Sequence, residues 1–318
     1  MVSARKPDTV ADARKVFGLD IDLEVPAFTE PDEHVPDRDD AYCFDPEVTL
    51  ALLLGFAHNR RVLVHGRHGS GKSTHVEQIA ARLNWGCVRV NLDGHLGRLE
   101  LVGRDAVTVR DGKQVTEFHE GMLPWAVRRP VALVLDEYDA GRPDVMFVIQ
   151  RLLEKEGRFT LLERNEVLRA HPAFRLFATA NTAGLGNHDG LYHGVQRVNH
   201  AQLDRWNVVA RLDYLPAETE IGIVRGQVPG VDERTAQAMV SLAQLTRQGL
   251  ESGDLTSLMS TRTVVTWAEN TRYLGDPALA LRVTFTNRCG DFEREIVDEY
   301  FQRCFGHDAA PYQPRMSA

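Results

Sequence analysis

Between Arg61 and Leu83 the sequence runs from a short apolar stretch, Arg61-Val62-Leu63-Val64-His65, into the glycine-rich segment Gly66-Arg67-His68-Gly69-Ser70-Gly71-Lys72-Ser73. A helix-forming stretch then begins near Lys72. The GxxxxGK[ST] spacing is selective in this setting, because the motif needs a strand before it and a helix after it. Gly66, Gly69 and Gly71 let the backbone curl until several N–H groups point at one phosphate chain, and the helix N-terminus adds partial positive charge. Lys72 reaches the β- and γ-phosphates and Ser73 offers its hydroxyl to Mg2+, with Ser70 and Thr74 beside them as further phosphate-side positions. A chain with this segment is expected to carry an α/β nucleotide-binding core.

The rest of the chain agrees with that expectation. Asp45-Pro46-Glu47 opens a helix, with Asp at the cap and Pro in the first turn. Cys87-Val88-Arg89-Val90-Asn91-Leu92, Val131-Ala132-Leu133-Val134-Leu135 and Arg175-Leu176-Phe177-Ala178-Thr179-Ala180 are further apolar strands. Near-continuous apolar strands separated by helices predict a parallel sheet covered on both faces. Two hairpins interrupt the alternation. One turns at Asp111-Gly112, a strong two-residue turn signal, and the other at Glu163-Arg164-Asn165. Beyond Pro216 the strands stop, and helical patterns follow at residues 218–226, 233–251, 261–274 and 277–305.

The predicted layout is therefore an acidic arm over residues 1–42, an α/β core over 43–215 and a helical domain over 216–318. With 318 residues and 43% apolar composition, two domains are the natural count. The arm is rich in Asp, Glu and Pro, and runs such as Glu30-Pro31-Asp32-Glu33-His34 bury little surface, so it is expected to be extended or partly disordered. Its apolar islands, Val16-Phe17-Gly18-Leu19 and Val25-Pro26-Ala27-Phe28, suit docking on a neighbouring subunit or packing on its own domain. No apolar run is long enough to cross a membrane, and the first residues lack a signal-peptide core. Cys43, Cys87, Cys289 and Cys304 are widely spaced, as expected of reduced thiols in the cytoplasm. The net charge of −8 argues against a nucleic-acid partner.

The apolar run 131–135 ends in Asp136-Glu137. Downstream of a phosphate loop, Asp136 suits the Mg2+ shell, and Glu137 suits a general base that polarises an attacking water. Asn181 directly follows the fourth strand, where a neutral amide can orient that water. Arg205, in Gln202-Leu203-Asp204-Arg205-Trp206, and Arg262, in Ser260-Thr261-Arg262-Thr263, are guanidinium candidates for transition-state charge at the γ-phosphate. His65, His68 and His75 lie near the phosphate loop and read as structural.

With the P-loop, Asp136-Glu137, Asn181, Arg205 and Arg262 in this order, and a helical lid after them, the chain resembles the AAA+ ATPases. The two hairpins resemble those of the branch that includes MoxR proteins and the magnesium-chelatase ATPase subunit. Residues 75–85, 111–118, 136–151 and 190–194 are similar to the CobS-type subunits of aerobic cobaltochelatase, and residues 187–190 depart from that family's pattern. The resemblance implies an ATP- and Mg2+-dependent motor that forms a homo-oligomeric, hexameric ring. It further implies two partners, a CobT-like von Willebrand-A-type subunit and a CobN-like large subunit that inserts Co2+ into hydrogenobyrinic acid a,c-diamide. Arg205 is then the arginine finger acting on the next subunit's ATP, and Arg262 the sensor-2 arginine. A MoxR-like chaperone that remodels another enzyme is the alternative. A non-hydrolysing scaffold fits poorly with Glu137 and Arg205 both in place.

Overall fold

The computed structural model describes residues 5–154, 157–182, 184 and 198–306. The chain divides into two compact units. One comprises Met1–Asp39, Phe44–Arg67 and Gly71–Leu212; the other comprises Asp40–Cys43, His68–Ser70 and Asp213–Ala318.

The first unit opens with β1 (Thr9–Asp12), α1 (Ala13–Phe17) and β2 (Glu24–Ala27), followed by α2 (Pro46–His58), β3 (Val62–His65), α3 (Lys72–Arg82) and β4 (Gly86–Asn91). It continues through α4 (Arg98–Val102), the hairpin β5 (Gly103–Arg110) and β6 (Lys113–Glu120), α5 (Met122–Val127), β7 (Val131–Asp136) and α6 (Pro143–Leu153). A second hairpin, β8 (Arg158–Leu161) and β9 (Glu166–Arg169), precedes β10 (Arg175–Ala180), α7 (His200–Leu203) and β11 (Val208–Arg211).

Five of these strands form a parallel sheet in the order β11-β3-β10-β7-β4. Side chains alternate across a strand, so each central strand feeds two cores. Val62, Val64, Ala132, Val134 and Phe177 join one core with residues of α2 and α3. Leu63, Leu133, Leu135, Leu176 and Ala178 join the other, with residues of α5 and α6. Burial on both faces explains the unbroken apolar runs in the sequence.

The caps and turns follow local chemistry. The Asp45 carboxylate accepts from Val48 N at 2.9 Å at the start of α2. Asp111 and Gly112 both adopt positive φ (52° and 75°), as a two-residue hairpin turn between right-twisting strands requires.

Two expectations are corrected. The arm is folded against the core rather than extended. Phe17, Leu19, Val25, Ala27 and Phe28 are buried among residues of α2 and α3, and Phe28 packs edge-on against Trp85 at 5.1 Å. The polar stretch is tied by backbone groups: Gln78 Nε2 donates to Asp37 O (2.9 Å), Arg82 Nη2 to Asp39 O (2.7 Å), and Cys87 N on the edge strand to His34 O (2.8 Å). Acidic composition misled here because the main chain, not the carboxylates, carries these bonds. The second correction is β11, a strand no pattern announced. It is a four-residue edge strand with Val209 half-exposed, too short for a period of two to show.

The second unit contains α8 (Ala217–Gln227), α9 (Glu233–Ser252), α10 (Thr261–Leu274), α11 (Pro277–Thr284) and α12 (Asp291–Phe305) around their own core, which includes Met239, Leu242, Val264, Trp267, Val297 and Phe301. A buried pair, Arg247 to Glu220, joins α9 to α8 with two bonds of 2.7 and 2.8 Å. Arg247 also donates to Met259 O (2.9 Å) and lies over the Tyr214 ring at 3.8 Å, so its charge is fully matched. Among the described residues, no helix is long and apolar enough to cross a membrane.

His75 on α3 has the structural role its sequence setting indicated. It is buried, with Nε2 2.8 Å from Thr49 Oγ1 and its ring edge-on to Phe44. Burial pushes its pKa down to about 3. The unfolded chain binds this proton near pH 6.5 and the folded chain only near 3, so stability is lost as pH falls through that window. His75→Gln, which keeps a polar atom for Thr49 but does not titrate, is expected to flatten that acid dependence. Urea midpoints against pH would show it, and an unchanged slope would contradict the assignment.

Candidate functional site

The phosphate loop connects β3 to α3, and its glycines take the conformations it needs. Gly66, Gly69 and Gly71 have φ of 153°, 74° and 90°. A side chain at Gly66 would run into the Leu212 carbonyl, so this position accepts only glycine. Gly66 N donates to Ala180 O (3.1 Å), which fixes the start of the loop to the end of β10. Gly71 caps α3 in the left-handed conformation, and Lys72, Ser73 and Thr74 form the helix's first turn. The Ser70 hydroxyl is buried and has no hydrogen-bond partner among the described residues.

Lys72 is buried and holds the loop together. Its Nζ donates to Gly66 O (2.8 Å), Arg67 O (2.9 Å) and Asn181 Oδ1 (3.1 Å). Burial pushes its pKa down to about 8, and the carboxylates of Asp139, Asp136 and Glu137 pull the other way. The contact with Asn181 joins the end of β10 to the phosphate loop, where the sequence order placed that residue.

Asp136, at the end of β7, is 6% exposed and fully engaged. Its Oδ1 accepts from Ser73 Oγ at 2.5 Å and Thr179 Oγ1 at 2.7 Å; its Oδ2 accepts from Arg89 Nε at 2.7 Å. Arg89 in turn reaches Glu77 on α3 at 3.2 Å. Glu137 follows in the left-handed region (φ 54°, ψ 44°), and its N–H faces Thr179 Oγ1 at 3.4 Å. A non-glycine residue there costs about 1–3 kcal/mol, a strain typical of functional positions.

Three residues of this arrangement escaped the sequence reading. Thr179 and Arg89 brace Asp136 from β10 and β4. Asp139, 1% exposed, accepts from Asn181 N (3.1 Å), Thr182 N (2.8 Å) and Thr182 Oγ1 (2.9 Å), so it fastens the loop that carries Asn181. A hydroxyl inside an apolar strand and a third acid after Asp136-Glu137 were the available signals.

The structure thus gathers Lys72, Ser73, Asp136, Glu137 and Asn181. It does not bring Arg205 to them. Arg205 lies just after α7, where its guanidinium donates to Ala201 O and to the Gln150 side-chain oxygen (2.8 Å from Nη2, with the amide oriented to face it). Among the described residues it has no hydrogen bond to the phosphate loop or to Asp136. Arg262 belongs to the second unit, exposed in the first turn of α10. Residues 187–190 and 190–194 lie outside the described residues.

Mg2+ fits this chemistry. A hard cation takes oxygen ligands, and the paired Ser73 hydroxyl and Asp136 carboxylate provide them next to a loop with an unpartnered buried hydroxyl at Ser70. Ser73 would hold the ion directly and Asp136 through water.

A phosphate loop closed onto a strand-end Asp-Glu pair, on a parallel sheet of this order with two inserted hairpins, defines a P-loop NTPase of the AAA+ class. Comparison with known proteins is consistent along the chain. Residues 61–198 match the AAA domain of the dynein-related subfamily, residues 3–35 the N-terminal family of the cobaltochelatase CobS subunit, and residues 220–296 the CbbQ/NirQ/NorQ C-terminal family. The aerobic cobaltochelatase subunit CobS of a Sinorhizobium species is 60% identical over 304 residues, covering 94% of this chain and 92% of that protein. The denitrification regulatory protein NirQ of Pseudomonas aeruginosa is 31% identical over 237 residues, covering 74% of this chain and 85% of that protein. The chain belongs to the CobS family of AAA+ ATPases.

The Asp139 anchor yields a direct test. Asp139→Ala strands three donors and is expected to cost about 3 kcal/mol in urea unfolding, with Asp139→Asn, which keeps one acceptor, losing less. A loss below about 1 kcal/mol for the alanine variant would contradict the anchoring role.

Proposed function

We propose that this chain is the ATP-hydrolysing motor subunit of an aerobic cobaltochelatase, driving Co2+ into hydrogenobyrinic acid a,c-diamide in cobalamin synthesis. The observation that carries this reading is the 60% identity to a CobS protein sustained over 304 residues. In the proposed motor, residues 43–215 are the ATPase core and 216–318 the lid, with the arm of residues 1–42 packed on the core. Copies of the chain form a hexameric ring in the cytoplasm. A CobT-like von Willebrand-A-type subunit and a CobN-like large subunit are its partners, and cobalt and the corrin are handled by the latter.

The chemistry assigned to the chain's own residues is compact. The phosphate loop from Gly66 to Ser73, with Ser70 and Thr74, cradles the phosphates, and protonated Lys72 neutralises the β- and γ-groups. Glu137 takes a proton from the attacking water as the water bonds to the γ-phosphorus and the bond to the β-phosphate oxygen breaks. Asn181, held by Lys72 and Asp139, orients that water. When bound, Mg2+ supplies charge neutralisation across the β- and γ-oxygens. Arg205 completes the site from the neighbouring copy, which agrees with its contacts lying on α6 and α7 rather than on its own phosphate loop. Arg262 serves as the lid's sensor of the nucleotide.

The match of residues 220–296 to the CbbQ/NirQ/NorQ C-terminal family favours a second reading, an AAA+ chaperone that activates another enzyme. The 60% relative weighs more than the 31% one.

An ATP-dependent cobalt-insertion assay with the two partner subunits, with and without this chain, separates the two. Insertion that requires the chain supports the motor; equal insertion without it would refute the proposal. The isolated chain is expected to hydrolyse ATP slowly and to metallate no corrinoid, and efficient insertion by the chain alone would overturn the division of labour. Glu137→Gln is expected to bind ATP normally and lose about 100-fold or more in turnover, accumulating ATP-bound rings visible by size; rings that still turn over would remove the general-base role. Arg205→Ala is expected to keep ATP affinity while turnover falls about 1,000-fold, and normal hydrolysis would remove the finger assignment.

A further inference from the structure

The turn that follows Glu137 touches the loop that carries Asn181 and also Trp206, the residue next to Arg205. Tyr138–Ala140 form a single 3-10 turn. Asp139 leaves it towards Asn181 and Thr182, as described. Tyr138, 1% exposed, leaves it towards Trp206, which it meets edge-on at 5.2 Å and 90° between the rings. Trp206 is the residue directly after Arg205.

Arg205 is held from the same region. α6 begins three residues after this turn, and its Gln150 amide, oriented so that its oxygen faces the guanidinium, lies 2.8 Å from Nη2 and 3.3 Å from Nη1. The Glu137 backbone is thus connected to the Arg205 side chain by two short routes: one through Tyr138 and Trp206, the other through α6 and Gln150.

Tyr138 Oη and Trp206 Nε1 are both buried beside this edge-on ring pair. Beside it opens a surface cleft of about 280 Å3 lined by Tyr138, Asp139, Phe147, Gln150, Asn199 and Ala201.

We propose that Gln150 and Tyr138 are positioning residues for Arg205, so that strain or relief at Glu137 in one subunit sets the reach of the arginine it lends to the next. The proposal rests on the reading of Arg205 as a finger acting on a neighbour's ATP. Gln150 supplies the acceptor that aims the guanidinium, and Tyr138 couples that aim to the turn after Glu137.

The test measures steady-state ATP hydrolysis of the full chain for Gln150→Ala, Gln150→Lys and Gln150→Glu, for Arg205→Ala, and for the Gln150→Ala/Arg205→Ala pair, each with a melting temperature. Gln150 is only half-buried, so these variants are expected to fold with unchanged Tm. Gln150→Ala is expected to lower kcat about tenfold at unchanged KM for ATP, the rate equivalent of one charge-assisted hydrogen bond. Gln150→Lys, which repels the guanidinium, should lose more. Gln150→Glu, which keeps an acceptor oxygen, should return kcat to within about twofold of the parent. In the Arg205→Ala background, Gln150→Ala should add nothing, because its effect passes through the arginine. If Arg205→Ala is inactive while Gln150→Ala and Gln150→Lys turn over normally, the positioning role is wrong and the finger reading survives. Normal turnover by Arg205→Ala would instead remove the finger reading itself. A Gln150→Ala defect that raises KM or lowers Tm would mark a merely structural residue and overturn the inference.

Discussion

The carboxylate of Asp136 joins three parts of the core that the chain order keeps apart. Ser73 reaches it from the first turn of α3, Thr179 from β10 and Arg89 from β4. Each bond ties one strand or helix to the end of β7. The phosphate loop, the strand that leads to Asn181 and the edge strand are thereby held in one register around this carboxylate. Charge-assisted bonds of this kind are short and directional, which is what a site needs if it must present oxygen and nitrogen atoms within a few tenths of an ångström. Lys72 adds a second brace by linking the loop carbonyls to Asn181.

Much of this was legible in the sequence because it depends on local rules. Glycine at Gly66, Gly69 and Gly71 reports a backbone that must take positive φ, and apolar runs report strands buried on both faces. Asp111-Gly112 and Asp45-Pro46 announce a turn and a helix start in the same way. What stayed hidden depends on distance in the fold. Arg89 looks like any polar residue on an edge strand until β4 is paired beside β7 and its guanidinium meets Asp136. β11 is four residues long and exists because β3 offers it an edge. The acidic composition suggests an extended or partly disordered arm, whereas its apolar islands pack on the core, the alternative the sequence also allows, and main-chain carbonyls tie the polar stretch.

Arg205 marks the point at which the proposed mechanism calls on a second copy of the chain. Lys72, Ser73, Asp136, Glu137 and Asn181 converge within a single copy, whereas Arg205 is held by α6 and α7 and, among the described residues, makes no hydrogen bond to the phosphate loop of its own chain. In the proposed ring, a site completed from outside would make hydrolysis depend on assembly and would let each subunit respond to its neighbour. Such dependence would suit the proposed motor, which must pass conformational work to a separate metal-inserting partner, because no subunit would fire without another in place. On the proposed reading, the strained Glu137 backbone and the turn after it would build that dependence into the chain.

The sharing of the site between copies is the central claim, and mixing two crippled variants tests it most directly. Lys72→Ala destroys a subunit's own phosphate site but leaves its Arg205 to lend; Arg205→Ala does the reverse. Each alone should be inactive. Rings assembled from equal amounts of both should recover about a quarter of the parent ATPase activity, the fraction of interfaces that pair an intact phosphate site with an intact arginine in a closed ring. Mixed rings that form but show no recovery would contradict the account.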